Sequence, residues 1–328
     1  MGTYLVTGGA GFIGSHLVDY LVQRGDAVRV LDDFSTGKEE NIRHNLGKIE
    51  LIRGSITDRD TVEESIKGVD FVLHHAAVAS VPRSIDDPIR SSEIGIGGTL
   101  NLLVAARDAG VKRFVYASSS AVYGDPAILP VNEDTPADPL SPYGVTKLAN
   151  EYYCRLFTRL YGLETVCLRY FNVFGPRQEP ESDYAAVISK FISSMIRGVR
   201  PIIYGDGIQS SRDYTYVDNN VRACMLACSV PEAAGEVFNI ASGESTTPLD
   251  LVESLSEILG VPVSPEFTDF RPGEIRHSST EIDKARRILG FHPVTGFREG
   301  LANTVAWFVA DYERQTGSSE ERVKACHS

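Results

Sequence analysis

The feature that most constrains this chain is a regular alternation of short apolar, β-rich runs with stretches of helical periodicity. The runs Tyr4-Leu5-Val6, Val28-Arg29-Val30-Leu31, Phe71-Val72-Leu73, Phe114-Val115-Tyr116 and Val166-Cys167-Leu168-Arg169-Tyr170 are separated by helical patterns. Strands joined through helices run parallel, and both faces of their sheet are then covered. Val237-Phe238-Asn239-Ile240 reads as one more strand of that sheet. Between the first strand and its helix lies Thr7-Gly8-Gly9-Ala10-Gly11-Phe12-Ile13-Gly14, a Gly-x-x-Gly-x-x-Gly spacing. Gly8, Gly11 and Gly14 permit a tight turn there. They also let the helix start, at Phe12 and Ile13, approach a pyrophosphate whose charge is met by free N–H groups and the helix dipole.

Together these features predict an α/β chain: a Rossmann-type doubly wound parallel sheet with a smaller C-terminal α/β substrate domain. The expected division is a dinucleotide-binding domain of residues 1–172 plus 212–240, a substrate domain of 173–211 plus 241–314, and a polar tail of 315–328. The turn-rich Gly175-Pro176-Arg177-Gln178-Glu179-Pro180 marks where the chain leaves the sheet. Helical patterns follow at 184–197, 217–229, 248–260 and 297–313. The second strand ends in Asp32-Asp33, placed to accept hydrogen bonds from an adenosine ribose and to repel a 2′-phosphate, so NAD is expected over NADP. After the third strand, Ile56 and Asp58 of Gly54-Ser55-Ile56-Thr57-Asp58 are candidates for holding the adenine end.

The 328 residues are 42% hydrophobic and 23% charged, an ordinary globular composition. Apolar stretches fall far short of the ~20 residues that span a bilayer, and the N-terminus has no basic head followed by a long apolar core. No membrane span is expected, and the expected location is the cytoplasm. Cys154, Cys167, Cys224, Cys228 and Cys326 are scattered without paired knuckles, so neither a metal site nor a disulfide framework is expected. A net charge of −12 argues against nucleic-acid binding. An anionic substrate must then meet a local set of arginines.

Ser141-Pro142-Tyr143-Gly144-Val145-Thr146-Lys147 opens a helix, with serine at the N-cap and proline at the first helical position. Tyr143 and Lys147, four residues apart, share a helix face. A cation beside the phenol favours the phenolate, which can take a proton from a substrate hydroxyl as hydride departs for a nicotinamide. Ser118-Ser119-Ser120 follow the Phe114-Val115-Tyr116 strand at the carboxyl edge of the sheet, where ligands of such folds bind.

The glycine turn, Ser119, Tyr143 and Lys147 together resemble the extended short-chain dehydrogenase/reductase family. His74-His75-Ala76-Ala77, Arg169-Tyr170-Phe171-Asn172-Val173-Phe174-Gly175-Pro176, Arg212-Asp213-Tyr214 and Arg271-Pro272-Gly273-Glu274 are similar to segments of its UDP-sugar epimerases. The likeness spans about residues 3 to 310. The resemblance implies that Ser119 and Tyr143 are the catalytic pair and that Lys147 tunes Tyr143 while binding the nicotinamide ribose. It also implies that Tyr143, Ala76 and Ala77 border the cofactor, and that Ser120, Asn172, Arg212, Arg271 and Glu274 hold a UDP-sugar. The implied reaction is inversion at C4 of a UDP-hexose. Other nucleotide-sugar reactions on this fold, and a regulator that binds NAD without chemistry, remain alternatives. Ala121 stands where dehydratases and decarboxylases of the fold carry an acid. Two positions depart from the pattern: Ala79 replaces a lysine that contacts the cofactor diphosphate, and Gly95 replaces an asparagine. Ser278, where glucose-restricted epimerases have tyrosine, implies room for an N-acetyl group. The apolar helices near 93–109 and 142–161 imply a homodimer.

Overall fold

The computed structural model describes residues 2–180, 186–270 and 276–317. In chain order, the first elements are β1 (Thr3–Thr7), α1 (Phe12–Arg24), β2 (Ala27–Asp32), β3 (Ile49–Arg53), α2 (Arg59–Ser65), β4 (Phe71–His74), α3 (Val81–Asp86), α4 (Pro88–Ser92), α5 (Thr99–Asp108), β5 (Arg113–Ser119), α6 (Pro142–Tyr161) and β6 (Thr165–Tyr170). Next come β7 (Val173–Phe174), α7 (Val187–Ile196), β8 (Ile202–Tyr204), β9 (Ser211–Arg212), β10 (Thr215–Tyr216), α8 (Val217–Ser229) and β11 (Val237–Ile240). The last are α9 (Pro248–Leu259), β12 (Glu266–Thr268), β13 (His277–Ser278) and α10 (Phe297–Thr316).

The chain forms two compact units. The first gathers Met1–Phe171, Asp218–Ile240 and Glu281–His292; the second gathers Asn172–Val217, Ala241–Thr280 and Pro293–Ser328. The division differs from the one the sequence suggests at two places. The return to the first unit begins at 218 and not at 212, and the segment 281–292 belongs to the first unit. That segment buries Ile282, Ala285, Leu289 and Phe291, and polar contacts fix it in place: Glu281 N–H donates to the Val131 carbonyl at 2.9 Å, and Lys284 pairs with Glu236 at 2.8 Å and lies over the Phe238 ring. Of the expected polar tail, residues 315 and 316 continue α10, and 318–328 lie outside the described residues.

The first unit is the expected Rossmann-type layer structure. Its seven strands lie in the order β11-β6-β5-β4-β1-β2-β3, and every neighbouring pair is parallel. The direction of winding reverses between β1 and β4, and such a reversal opens a crevice at the carboxyl ends of the strands. The central strands are buried on both faces, which is why they read as apolar runs. β3 is one of the two edge strands and is only half-buried, so its Ile49-Glu50-Leu51-Ile52-Arg53 sequence carries a weaker signal.

Helix α6 brings the chemistry to the end of β5. Ser141 caps it by accepting the Gly144 N–H at 3.1 Å, Pro142 sits in its first turn, and Gly162 ends it in the left-handed conformation at φ 73°. Its inward face recurs at helical spacing through Gly144, Lys147, Asn150, Glu151, Cys154 and Phe157. A Cβ on Gly144 would lie 2.6 Å from the Ala121 carbonyl oxygen and 2.9 Å from Pro139 Cβ. Gly144→Ala gains at most ~1 kcal/mol of helix propensity, against ~1–3 kcal/mol for overpacking a rigid contact. The expected outcome is a lower urea midpoint together with lower turnover, whereas an exposed helical Gly→Ala change raises the midpoint.

Candidate active site

The cofactor end is built from backbone. Gly8 is left-handed at φ 68°, and a Cβ there would come within 2.8 Å of the Ala76 nitrogen; one on Gly14 would come within 2.1 Å of the Gly8 oxygen. The glycine turn therefore lies directly against the end of β4, beside Ala76 and Ala77. Gly11 heads α1 without a side-chain cap, and no acidic residue stands in the first turn, so the N–H groups at Phe12 and Ile13 face an anion-compatible space. Asp32 is buried. Its two oxygens accept the Ala10 and Phe34 N–H groups, each at 2.8 Å, and burial raises its pKa against those bonds. Asp33 is exposed and accepts from the Ser35 N–H and hydroxyl at 2.9 and 2.6 Å. Asp32 thus fixes the glycine turn to β2, and Asp33 is the more reachable carboxylate. Ile56 is buried among apolar neighbours. Asp58 caps α2 through Asp60 N–H at 3.1 Å and the Thr61 hydroxyl at 2.8 Å, and the Thr61 bond is the main reason its pKa is lowered.

At the chemical end, Ser119 closes β5 and accepts the Ala121 N–H at 3.2 Å, while Ser120 begins the short turn that follows. The Ser119 side chain lies near enough to Tyr143 to act on its phenol, favouring the ionised form. The Tyr143 N–H is anchored to Ser84 Oγ at 3.0 Å. Lys147 is 5% exposed, donates to the Ala117 carbonyl at 2.6 Å, and stands 5.6 Å from the Tyr143 ring centroid and 4.9 Å from that of Tyr116. The sequence argument has the cation lowering the phenol's pKa. In the structure burial dominates and raises it, with the Ser119 side chain opposing. Burial likewise brings Lys147 down to about 8.

In the second unit, Asn172 has φ 32° and donates from its amide to the Asp213 carbonyl at 2.8 Å. Arg212 and Ser278 are register partners in the parallel β9/β13 pair, and Arg212 donates to the Arg276 carbonyl at 2.6 Å. Asp213 is buried and organises the loop after β11 by accepting from Ser242 N–H and hydroxyl and from Gly243 N–H. Arg271 and Glu274 lie outside the described residues.

A family model described as the NAD dependent epimerase/dehydratase family matches residues 4–241. The chain belongs to that family. It is 39% identical over 308 residues to the UDP-glucose 4-epimerase of Mycolicibacterium smegmatis, covering 93% of this chain and 97% of that protein. The UDP-glucose 4-epimerase of Thermotoga maritima, solved with UDP-glucose, superimposes with a TM-score of 0.90 at 40% identity over 95% of this chain and 100% of that one. The UDP-N-acetylglucosamine 4-epimerase of Methanobrevibacter ruminantium, in complex with UDP-N-acetylmuramic acid, gives a TM-score of 0.90 at 40% identity over 94% and 99%. The cofactor is NAD, and the residues fit it: an uncapped helix start, glycines that exclude any Cβ, and a carboxylate at the end of β2. NAD supplies the hydride acceptor. This chain brings a serine hydroxyl, a phenol and an ammonium together at the end of β5.

Several residues that shape the site carry no signal in a motif reading. Thr99 donates to the Gly95 carbonyl at 2.6 Å, so it accepts from His74 Nε2–H at 2.9 Å, and His74 Nδ1 then accepts the Thr7 hydroxyl at 2.7 Å. Asn150 also donates to the Gly95 carbonyl, at 2.8 Å. This answers the departure at Gly95: the segment is anchored through its backbone, and a Cβ there would press on Thr146 Cβ at 3.0 Å. The histidines are neutral in this buried setting, His75 with its pKa lowered to about 4, chiefly by burial. Among the described residues no His, Cys, Asp and Glu group is arranged to hold a metal. Cys154, Cys167, Cys224 and Cys228 are free and buried. No described helix is long and apolar enough to cross a membrane.

Tyr143→Phe keeps the ring and removes the hydroxyl. Turnover is expected to fall by at least ~10²–10⁴-fold, while NAD released by acid extraction stays at the wild-type amount. Wild-type turnover in this variant would show that the proton goes elsewhere.

Proposed function

We propose that this chain is a UDP-hexose 4-epimerase that interconverts UDP-glucose and UDP-galactose, and UDP-GlcNAc and UDP-GalNAc as well, through a 4-keto intermediate. The observation that carries this reading is the grouping of Ser119, Tyr143 and Lys147 at the end of β5, with Ala121 offering no acid two residues after Ser119. Without that acid a 4-keto sugar has no aid to eliminate water or lose a carboxylate. Its remaining course is to take hydride back, and return to the opposite face inverts C4. Asn172, Arg212, Arg271 and Glu274 are the proposed contacts to UDP, the arginines through charge-assisted hydrogen bonds. Ser120 is proposed to meet the sugar.

The hydride is borrowed and returned, so purified protein needs no added NAD. Incubated without cofactor and resolved by chromatography, UDP-glucose and UDP-GlcNAc are each expected to give their C4 epimers. A requirement for stoichiometric NADH would replace this reading with a reductase, and turnover confined to UDP-glucuronate would move the substrate class.

Ser278, beside Arg212 in the β9/β13 pair, is small and half-buried. We propose that it leaves space for the C2 acetamido group. Ser278→Tyr is expected to abolish turnover of the acetylated pair and spare the other, a steric exclusion that needs no new attraction. Wild-type protein inert on UDP-GalNAc but active on UDP-galactose would refute the open pocket alone.

We also propose a symmetric homodimer. Val104 on α5 and Val145, Tyr152, Leu156, Leu160 and Tyr161 on α6 are exposed apolar side chains on neighbouring helices, and a two-fold pairing would cover them. Light scattering at micromolar concentration should give twice the mass of one chain, and a monomer would overturn the assignment.

A further inference from the structure

Lys147 is a cation held away from water. Its ammonium meets the Ala117 carbonyl and two aromatic faces, and burial works against its charge. The groups that face it come from every neighbouring element. Tyr143 and Glu151 lie on its own helix, Tyr116 on β5, Cys167 on β6, and His74 and His75 at the end of β4. Burial keeps the Tyr116 phenol and both histidines neutral, and the Cys154 hydrogen bond together with burial keeps the Cys167 thiol protonated. Among these described neighbours Glu151 supplies the carboxylate.

Glu151 is one helical turn beyond Lys147, a spacing that puts their Cβ atoms ~5–6 Å apart on one face. It is 3% exposed and tightly held. Its Oε1 accepts from Ser118 Oγ at 2.5 Å and from Arg169 Nε at 2.9 Å, and its Oε2 accepts from Arg169 Nη2 at 2.7 Å. Arg169 in turn donates to Tyr123 OH at 2.7 Å, Tyr123 OH donates to Asn239 Oδ1 at 2.7 Å, and the Asn239 N–H donates to Glu133 at 2.7 Å. Three hydrogen bonds fix the Glu151 carboxylate in place, and its charge opposes the effect of burial on Lys147.

We propose that Glu151, clamped by Arg169 and Ser118, is the positioning residue that keeps Lys147 cationic beside Tyr143, so that a buried ion pair behind the site sets the alkaline edge of activity. The proposal rests on the reading of Lys147 as the partner of the catalytic tyrosine. Its sign is fixed: Glu151→Gln removes the charge that favours the ammonium, so the protonation midpoint of Lys147 falls, and activity that needs the cation is lost at lower pH.

The test is a pH titration of protein as purified, labelled with ¹³Cε-lysine and followed by NMR, with Lys147 assigned by the resonance missing from Lys147→Arg. In Glu151→Gln the Lys147 midpoint is expected to fall by about one pH unit or more, the scale on which a close opposite charge acts. The alkaline limb of kcat should move with it. Glu151→Asp should restore most of both. Glu151→Gln leaves Arg169 unpaired, and that charge adds to the fall. The double variant Glu151→Gln/Arg169→Met removes both charges and is expected to give a smaller fall in the same direction, because Glu151 shares the helix face of Lys147 while Arg169 stands on β6, and it decides the matter where the single variant unfolds. An unmoved midpoint, whatever the loss in thermal stability, overturns the proposal, and so does a limb that stays in place while the midpoint falls. The titration uses no substrate. A wild-type protein inert on every UDP-sugar would therefore count against the epimerase reading and leave the Lys147 midpoint to decide on Glu151.

Discussion

Glu151 and Arg169 form an ion pair whose side chains are 3% and 7% exposed, and the pair joins α6 to β6 directly behind Ser118 and Lys147. A buried pair of this kind adds little net stability over an apolar contact, because desolvation consumes most of the Coulomb gain, yet removing one partner costs about 3–5 kcal/mol. What it gives this fold is register. A helix packed on a sheet through leucines can slide by fractions of a turn at small cost, whereas one held by a two-pronged carboxylate–guanidinium contact cannot. The positions of Tyr143 and Lys147 relative to Ser119 follow from that restriction.

A second buried network performs the same task at the other end of the crevice. Thr7, at the end of β1, receives the His75 and Ala76 N–H groups at 3.2 and 3.3 Å and gives its own proton to His74. Through His74, Thr99 and the Gly95 carbonyl the path reaches Asn150, on the same helix that carries Tyr143. The strand end that leads into the glycine turn and the helix that carries Tyr143 and Lys147 are therefore parts of one hydrogen-bonded frame. The Thr7 and Thr99 hydroxyls each have a single arrangement available, which requires His74 to stay neutral.

Residues whose chemistry dictates local backbone geometry were the legible ones. The glycine turn, the Ser141-Pro142 helix start and the doubly buried central strands each impose a pattern along the chain, and each stands where that pattern put it. Long-range polar pairing leaves no such trace. Glu151 finds Arg169 across 18 positions and Arg113 finds the Ala227 carbonyl across 114, and neither separation is a period of any element. Segment 281–292 does carry an apolar face, through Ile282, Ala285, Leu289 and Phe291, but such a face does not say which unit it will pack on. One clue to Glu151 was present: a carboxylate four residues after Lys147, on the helix face that also carries Asn150, Cys154 and Phe157 inward. The raised pKa of Tyr143 was not legible, because desolvation depends on what surrounds the ring and not on its neighbours in the chain.

The first unit is assembled from three separate stretches of chain, the last ending at His292. During synthesis β6 leaves the ribosome long before β11, its partner on the outer side of the sheet. At ~5–20 residues per second, the 70 residues from Tyr170 to Ile240 take about 4–14 s to make. For that interval a six-residue strand that is wholly buried in the finished fold presents an open, apolar edge, the kind that templates pairing with foreign strands. The nascent chain thus passes through a vulnerable stage prescribed by the order of its segments. Holding factors that act on emerging chains, or a slower addition of the residues before 171 relative to those after, would bear on yield far more than changes in the finished protein's stability.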